Sequence, residues 1–254
     1  MKLMTQKKIK VEIEKLAKIC NSNLKNSTEC MTYLSNRGIS ESIINEYMIG
    51  YFPQNISKLT KYVDFDLLVS ANILKLDMSS PYAIYNYLII PIKNEYGEYE
   101  GISGRTLMDD LDRSNLGIPK YRNSSYHKKN VLFGLDKSLP NIVSKNKAFV
   151  TEGYFDQISL YKNGIDNSVA ACGTAFSKNH YLKLIKYCDS IYFIMDSDDA
   201  GIIASKRIYK KFKEGPAKLF FLRCNENCKD IDEFFSENTN KDFFKKYKIY
   251  NPCD

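Results

Sequence analysis

The sequence predicts an α/β fold with a mostly parallel sheet flanked by helices, preceded by a smaller, basic subdomain of mixed α+β structure. Two short apolar runs, Ala148–Val150 and Ile191–Met195, are typical of strands that are buried on both faces. Each run is followed by an acidic turn and then by a helix-like segment, Tyr154–Lys162 and Asp199–Phe212 respectively. Strand, turn and helix in this order form the βα units of a doubly wound sheet.

The composition indicates a protein with a packed core and a basic surface. Its 254 residues, 44% hydrophobic and 26% charged, suffice for one large domain or two small ones. No apolar run approaches the ~20 residues that span a bilayer, and the basic N terminus lacks the apolar stretch of a signal peptide. We therefore expect a cytoplasmic protein without a membrane partner, its seven cysteines present as reduced thiols. The net charge of +7 favours polyanionic partners such as nucleotides and nucleic acids.

The N-terminal half is predicted to contain short helices followed by a β-hairpin. Apolar residues recur at helical spacing near the N terminus, and Ser40 is a suitable N-cap for a later helix. Two strand-like runs flank a turn that contains glycine, as in hairpins. The predicted elements are a helix over 7–21, helices over 28–36 and 40–48, a hairpin of 87–92 with 99–103, and an irregular basic segment over 104–130.

The C-terminal half is predicted to contain four parallel strands with helices between them, followed by a polar helical segment. Parallel strands end at one edge of their sheet, and open α/β sheets bind their ligands at that edge. The predicted strands are Lys147–Thr151, Ser168–Ala171, Ser190–Met195 and Ala217–Leu222.

Acidic residues follow three of these strands. Because the strand ends share one edge, we expect the carboxylates to lie close together, where they repel one another unless a hard cation neutralises them. The sequence therefore predicts bound Mg²⁺, with Mn²⁺ as a possible substitute. The candidate catalytic residues are Glu152, Asp196 and Asp198, and the candidate metal ligands are these three with Asp156, Asp230 and Asp232.

Helix capping is the alternative interpretation of these acids, since a single aspartate after a strand often only caps the next helix. Asp199 is suited to that role. Three acids within four positions, Asp196 to Asp199, favour a metal site, as do the acids on the neighbouring turns. Glu152 suits either a metal ligand or a general base for a sugar hydroxyl, and an exposed strand-end glutamate is its alternative.

Two glycine-containing turns belong to the same edge. We expect Gly153 to let the chain turn tightly beneath the group that Glu152 binds. Gly173-Thr174 could approach phosphates through backbone N–H groups, although an ordinary strand-ending turn fits these residues equally well.

The acidic turns resemble those of the Toprim domain, the metal-binding fold of DnaG-type primases, topoisomerases and related nucleases. That family has Glu-Gly after its first strand and Asp-x-Asp after its third, which stand here as Glu152-Gly153 and Asp196-Ser197-Asp198. The resemblance implies a Rossmann-like, mostly parallel sheet that binds divalent metal. Ser197 replaces the family's glycine, which the turn tolerates if the φ angle of Ser197 is negative.

Further segments resemble landmarks of DnaG-type bacterial and phage primases, in the same order along most of the chain. These segments are Tyr33–Ile39, Ile90–Ile92, Gly101–Arg105, Pro119–Ser124, Val131–Leu135, Glu152–Asp156, Ala170–Ala175 and Asp196–Gly201. The regions that they imply are an N-terminal helix and linker (1–27), a template- and nucleotide-binding subdomain (28–140), a Toprim catalytic domain (141–236) and a C-terminal helical tail (237–254).

The resemblance to primases implies an RNA polymerase core that synthesises short RNA primers on single-stranded DNA from ribonucleoside triphosphates during DNA replication. Arginine and lysine suit phosphates, and tyrosine suits stacking on a base, although a solvated basic loop is the alternative for each residue. The acids that match the family's metal site are Glu152, Asp156, Asp196, Asp198 and Asp232, with Asp230 beside them. The residues that fall on the family's nucleotide- and DNA-handling segment are Arg105, Lys120, Tyr121, Asn123 and Lys128.

Complete primases of this type also carry a zinc-binding module and a helicase-binding domain. The four cysteines Cys20, Cys30, Cys224 and Cys228 do not form a complete Cys-x-x-Cys framework, so we expect no zinc site in this chain. We therefore expect a zinc-binding module in trans and a replicative helicase as partners, in a bacterial cytoplasm or that of a phage host. Two other hypotheses remain open: a Toprim-type nuclease that cuts phosphodiesters, and a non-catalytic replisome subunit that binds DNA or a helicase.

Overall fold

The computed structural model describes residues 2–52, 59, 61–74, 87–172, 175–224, 228 and 230–253. The chain forms two compact units, Met1–Ile92 with Glu98–Tyr126, and Lys93–Gly97 with His127–Asp254. The regions proposed from the sequence, with boundaries after residues 27, 140 and 236, remain a prediction. Over the described ranges, every helix is too short or too polar to cross a bilayer.

The first unit combines helices with a four-stranded sheet in the order β1-β2-β3-β4. Ile13, Leu16 and Cys20 on one face of the first helix are buried in a core with Ile89 and Ile102 of the sheet. The elements are α1 (Lys2–Asn23), α2 (Thr28–Asn36), α3 (Glu41–Tyr47), β1 (Gly50–Tyr51), α4 (Phe65–Ser70), β2 (Leu88–Lys93), β3 (Tyr99–Arg105), α5 (Asp110–Asn115) and β4 (Tyr121–Asn123).

The helices and the hairpin predicted for this unit are confirmed. The Ser40 side chain accepts a hydrogen bond from the Ile43 N–H and so caps α3. The segment 104–130, predicted as irregular, instead contains α5 and β4, and β1 was also not predicted. Strands of two and three residues are too short to show an alternating pattern in the sequence.

The second unit contains a five-stranded sheet in the order β6-β5-β7-β8-β9. Strands β5 to β8 are parallel to one another, which confirms the predicted α/β fold. The elements are α6 (Leu135–Lys145), β5 (Lys147–Thr151), α7 (Tyr154–Lys162), β6 (Ser168–Ala170), α8 (Lys178–Leu184), β7 (Ser190–Ile194), α9 (Asp199–Phe212), β8 (Lys218–Cys224), α10 (Ile231–Glu237), α11 (Asn240–Lys246) and β9 (Tyr247–Tyr250).

The last strand corrects the expectation of a purely helical tail. β9 pairs antiparallel with β8, Tyr247 opposite Cys224 and Tyr250 opposite Phe221. Its residues were predicted as part of a polar helical segment, and α11 occupies the part of that segment directly before β9. The Tyr247 ring is buried, and its centroid lies 4.6 Å from that of the Phe243 ring, on which it stacks.

Strands β5 and β7 lie side by side with apolar residues on both faces. Val150, Ile191 and Phe193 belong to one buried cluster, and Phe149 and Ile194 to another. Burial on both faces fixes the register, because a shift of one residue would exchange the two sets. The carboxyl ends of β5 and β7 are thereby held next to each other at one edge of the sheet.

Candidate active site

Glu152 follows β5 at the carboxyl edge of the sheet. Burial raises the pKa of the Glu152 carboxyl, the charges of Asp196 and Asp198 raise it further, and a hydrogen bond from the Asp196 backbone opposes them in part. Atom Oε1 of Glu152 is buried and has no hydrogen-bond partner in the described part of the chain. Glu152 is therefore partly buried beside two other carboxylates, and the alternative of an exposed strand-end glutamate is excluded.

Asp196 and Asp198 lie on the turn between β7 and α9. The Asp198 side chain is the N-cap of α9 and accepts a hydrogen bond of 2.8 Å from the Gly201 N–H. Asp199, which the sequence suggested as the cap, is the first residue of the helix and is exposed. Capping uses Oδ1 of Asp198 and fixes the orientation of its carboxylate, so capping and ligand binding are compatible at this residue.

The start of α9 is packed directly against the backbone of Asp196. A Cβ atom at Gly201 would lie 2.1 Å from the Asp196 carbonyl oxygen and 2.9 Å from its carbonyl carbon. Only glycine allows this approach. The position of Asp196 is therefore set by the first turn of the helix.

Gly153 has a different role from the one predicted. Its φ angle is −103°, so the turn does not need the conformational freedom of glycine. A Cβ atom here would instead lie 2.4 Å from Oδ2 of Asp156. The absence of a side chain at Gly153 leaves room for the carboxylate of Asp156, which lies in the first turn of α7.

The acids after β8 are engaged in local structure. Asp230 caps α10 and accepts a hydrogen bond of 2.9 Å from the Glu233 N–H. Asp232 accepts a hydrogen bond from the Ser159 hydroxyl of α7. The hydrogen bond between Ser159 and Asp232 anchors α10 to α7, a role that the place of Ser159 in an apolar helix did not indicate.

The turns after β7 and β8 are also joined directly. The Ser197 hydroxyl donates a 3.1 Å hydrogen bond to the Cys228 carbonyl oxygen. Ser197 is not among the residues with positive φ, so the condition for replacing the family's glycine is met. A glycine at this position would lack the hydroxyl that makes this link.

The arrangement fits a hard cation that is only partly enclosed by protein. Within the described ranges, no group of three or more histidine, cysteine or acidic side chains is placed to hold a metal ion by itself. Mg²⁺ is commonly held by one or two carboxylates and completed by water and substrate phosphates. The buried, unpartnered Oε1 of Glu152 next to Asp196 and Asp198 is the kind of oxygen set that such a cation requires.

Arg105 and Tyr121 of the first unit form a cluster with Tyr33 and Arg37. The Arg105 guanidinium lies 5.0 Å from the ring centroid of Tyr33 and 5.1 Å from that of Tyr121, and its Nη1 donates to the Tyr121 hydroxyl at 2.5 Å. The Arg37 guanidinium also lies over the Tyr33 ring, 4.7 Å from its centroid. Burial raises the pKa of the Tyr33 hydroxyl to about 12. The sequence analysis included Tyr33 and Arg37 in a family landmark but did not name them as site residues, although residues four apart at a helix end lie on one face.

The remaining candidates are distributed over both units. Lys120 is exposed and Asn123 is half-buried in the first unit. Lys128 belongs to the second unit, and burial lowers the pKa of its ammonium group. Its carbonyl oxygen lies 2.9 Å from Nε2 of the buried His180, which holds this loop on α8. Gly173-Thr174 lies outside the described residues.

Comparison with known proteins identifies both units. Residues 19–139 match the N-terminal domain of the DNA primase catalytic core, and residues 149–235 match a Toprim-like domain. The DNA primase of Rickettsia typhi is 33% identical over 232 residues, which are 86% of this chain and 37% of the relative. That of Aquifex aeolicus is 29% identical over 245 residues, 93% and 48% of the two chains. The chain thus spans less than half the length of these relatives.

Solved primase structures share the fold. The Aquifex aeolicus primase, comprising zinc-binding and RNA polymerase domains, aligns with a TM-score of 0.82 at 27% identity, over 95% of this chain and 60% of that one. A DnaG primase catalytic domain bound to single-stranded DNA aligns with a TM-score of 0.80 at 23% identity, over 96% and 81% of the two chains, and shows the same fold. The chain therefore belongs to the DnaG-type DNA primase family and matches the two domains of its catalytic core.

Proposed function

We propose that this chain is the catalytic core of a DNA primase, which synthesises short RNA primers on single-stranded DNA by nucleotidyl transfer. The observation that carries the proposal is the approach of Glu152 to Asp196 and Asp198 at the carboxyl edge of a parallel sheet. The family match supports the same activity. A 3′-hydroxyl of one nucleotide attacks the α-phosphorus of the next, and pyrophosphate leaves.

The proposed cofactor is Mg²⁺, with Mn²⁺ able to replace it, held by Glu152, Asp196 and Asp198. When bound, such a cation makes the hydroxyl more acidic and offsets the negative charge of the phosphates. The chain's own contribution is positioning. The α9 N-cap orients Asp198, the Asp196 backbone is fixed against Gly201, and burial keeps water away from Oε1 of Glu152. Asp156, Asp230 and Asp232 remain proposed additional ligands.

Primer synthesis by two matched variants tests this function. Asp196→Asn removes the charge of a proposed ligand, and Asp199→Asn makes the same change at an exposed residue three positions away. Loss of a residue that only supports a metal ligand costs about 10–100-fold, so we expect Asp196→Asn to cost at least about 100-fold and Asp199→Asn less than about twofold. The assay measures labelled ribonucleotides incorporated on single-stranded DNA. Cleaved DNA, or equal activity of the two variants, would overturn the proposal.

We also propose that Arg105, Lys120, Tyr121, Asn123 and Lys128 handle nucleotide and template. Arg105 is buried between rings, so it supports the Tyr121 surface, and the exposed Lys120 contacts phosphate directly. Lys120→Gln should weaken single-stranded DNA binding a few-fold and lower the slope of log affinity against log salt by about 0.7, the contribution of one phosphate contact. Fluorescence anisotropy at several salt concentrations measures both. The exposed Lys241 provides the control variant Lys241→Gln, and an equal slope change there would contradict a specific role for Lys120.

The further partners that we propose are a zinc-binding module and a replicative helicase. The Aquifex aeolicus structure contains zinc-binding and polymerase domains together, which supports the first. The bacterial relatives support a place in the cytoplasm of a bacterium or of a phage host. Addition of each partner to the primer assay should raise the yield of initiated primers.

A further inference from the structure

A cavity of about 270 Å³ lies beside Glu152 in the second unit. It is bounded by the ends of β5 and β7 and by α9, and its walls are largely apolar. Val150, Phe176, Met195 and Ile208 are among the side chains that form these walls. Glu152 lines one side, so a molecule in the cavity lies next to this proposed metal ligand.

Two cationic residues of α9, Arg207 and Lys211, also line this cavity. They are four residues apart and therefore share one face of the helix. Both are exposed, and neither forms an ion pair with another described residue. Lys206 and Lys210 lie on the same helix but outside the cavity lining.

The properties of the cavity restrict its ligand. Burying a bare polyphosphate among apolar walls would be costly, because a charge loses its hydration there. An aromatic ring suits the apolar walls that Val150, Met195 and Ile208 help to form. The volume is slightly below the ~300–1,000 Å³ of sites that enclose complete drug-sized ligands, so a ring fits inside while attached phosphates stay at the exposed cations.

We propose that this cavity is a nucleotide-binding site, with the base inside and the phosphates on Arg207 and Lys211. Arginine binds phosphate oxygens through paired hydrogen bonds, and lysine acts as a point charge. The choice of a nucleotide as the phosphate-bearing ring compound rests on the proposed primase function. A nucleotide bound in this site lies next to Glu152, while its phosphates contact Arg207 and Lys211.

The test measures binding of labelled ATP to the full chain by equilibrium dialysis in EDTA. EDTA removes divalent cations, so no metal is bound at the carboxylates. We expect saturable ATP binding by the unmodified chain. Arg207→Gln and Lys211→Gln should each weaken it about tenfold, equivalent to about 1.4 kcal/mol. Lys206→Gln and Lys210→Gln carry the same charge change outside the cavity and should alter it less than about twofold. Asp196→Asn should retain ATP binding, so loss of primer synthesis and loss of this site are separate outcomes.

Two further measurements test the placement of the base. Ala204 lines the cavity, and Ala204→Met should fill it and abolish ATP binding in a chain whose circular dichroism is unchanged. Inorganic tripolyphosphate should displace ATP at least about tenfold less well than unlabelled ATP does. The proposal is overturned by absence of ATP binding in EDTA, by equal losses in all four cation variants, by unchanged binding in Ala204→Met, or by equal displacement with tripolyphosphate. A nucleic-acid surface would instead appear as single-stranded DNA binding that all four cation variants weaken alike.

Discussion

Gly201→Ala is expected to reduce primer synthesis by about 100-fold or more. The added methyl group would lie 2.1 Å from the Asp196 carbonyl oxygen, and this atom belongs to the backbone, so no side-chain rotation relieves the clash. The first turn of α9 must move away from Asp196, and the hydrogen bond from the Gly201 N–H to Asp198 moves with it. Displacement by about 1 Å at a reacting centre can cost about 100-fold in rate.

The matched control is Ala200→Ser, which adds one atom at the exposed neighbouring position and should retain most of the activity. Circular dichroism and thermal unfolding establish that both variants are folded at the assay temperature. The clash also strains the packing of α9, so Gly201→Ala should unfold at a lower temperature than Ala200→Ser. A folded Gly201→Ala variant with normal activity would show that the backbone position of Asp196 does not matter.

Glu152→Gln is expected to abolish primer synthesis while raising the unfolding temperature in EDTA. The carboxyl pKa of Glu152 is raised by burial and by the charges of Asp196 and Asp198, so its ionised form is disfavoured in the folded state. An acid whose pKa is higher in the folded state than in the unfolded state binds more protons when folded. The folded state is therefore destabilised as the pH rises and the group ionises. Glutamine has no such cost. The stabilisation by Glu152→Gln should therefore be small in acid and grow as the pH rises through the raised pKa.

Divalent cation should reverse this order of stability. Binding to the folded state alone stabilises a protein in proportion to the logarithm of ligand concentration, and the unmodified chain should gain more from Mg²⁺ than Glu152→Gln does. Differential scanning fluorimetry in EDTA and in Mg²⁺ measures both effects. Asp199→Asn serves as the control, since it removes an acid that has no predicted ligand role. The account of Glu152 is contradicted if the two variants respond to Mg²⁺ in the same way.

The parallel part of the fold was predictable because its signals are local and strong. The helices Tyr154–Lys162 and Asp199–Phe212 were predicted with the bounds that the structure shows, and continuous apolar runs identified the buried strands. Strand β9 was missed because its pairing with β8 depends on aromatic contacts with residues far along the chain, such as Tyr250 with Phe221. A helical pattern directly before it gave no sign of the change.

The acidic site was predictable as a set of positions but not in its details. Three strand ends in one sheet imply neighbouring turns, and Glu152 indeed lies near Asp196 and Asp198. The sequence could not show that Asp232 binds Ser159 or that Gly153 makes room for Asp156. These contacts depend on the spacing between helices, which residue types along the chain do not determine.

The most direct test of the central claim measures Mn²⁺ binding through the electron paramagnetic resonance signal of the free ion. A ribonucleoside triphosphate is present to complete the coordination of the metal. The unmodified chain and Asp199→Asn should bind Mn²⁺ with equal affinity. Asp196→Asn and Glu152→Gln should each bind at least about tenfold more weakly, because each loses a carboxylate from the edge of the sheet. Undiminished Mn²⁺ binding by both of these variants would contradict a metal site at Glu152, Asp196 and Asp198.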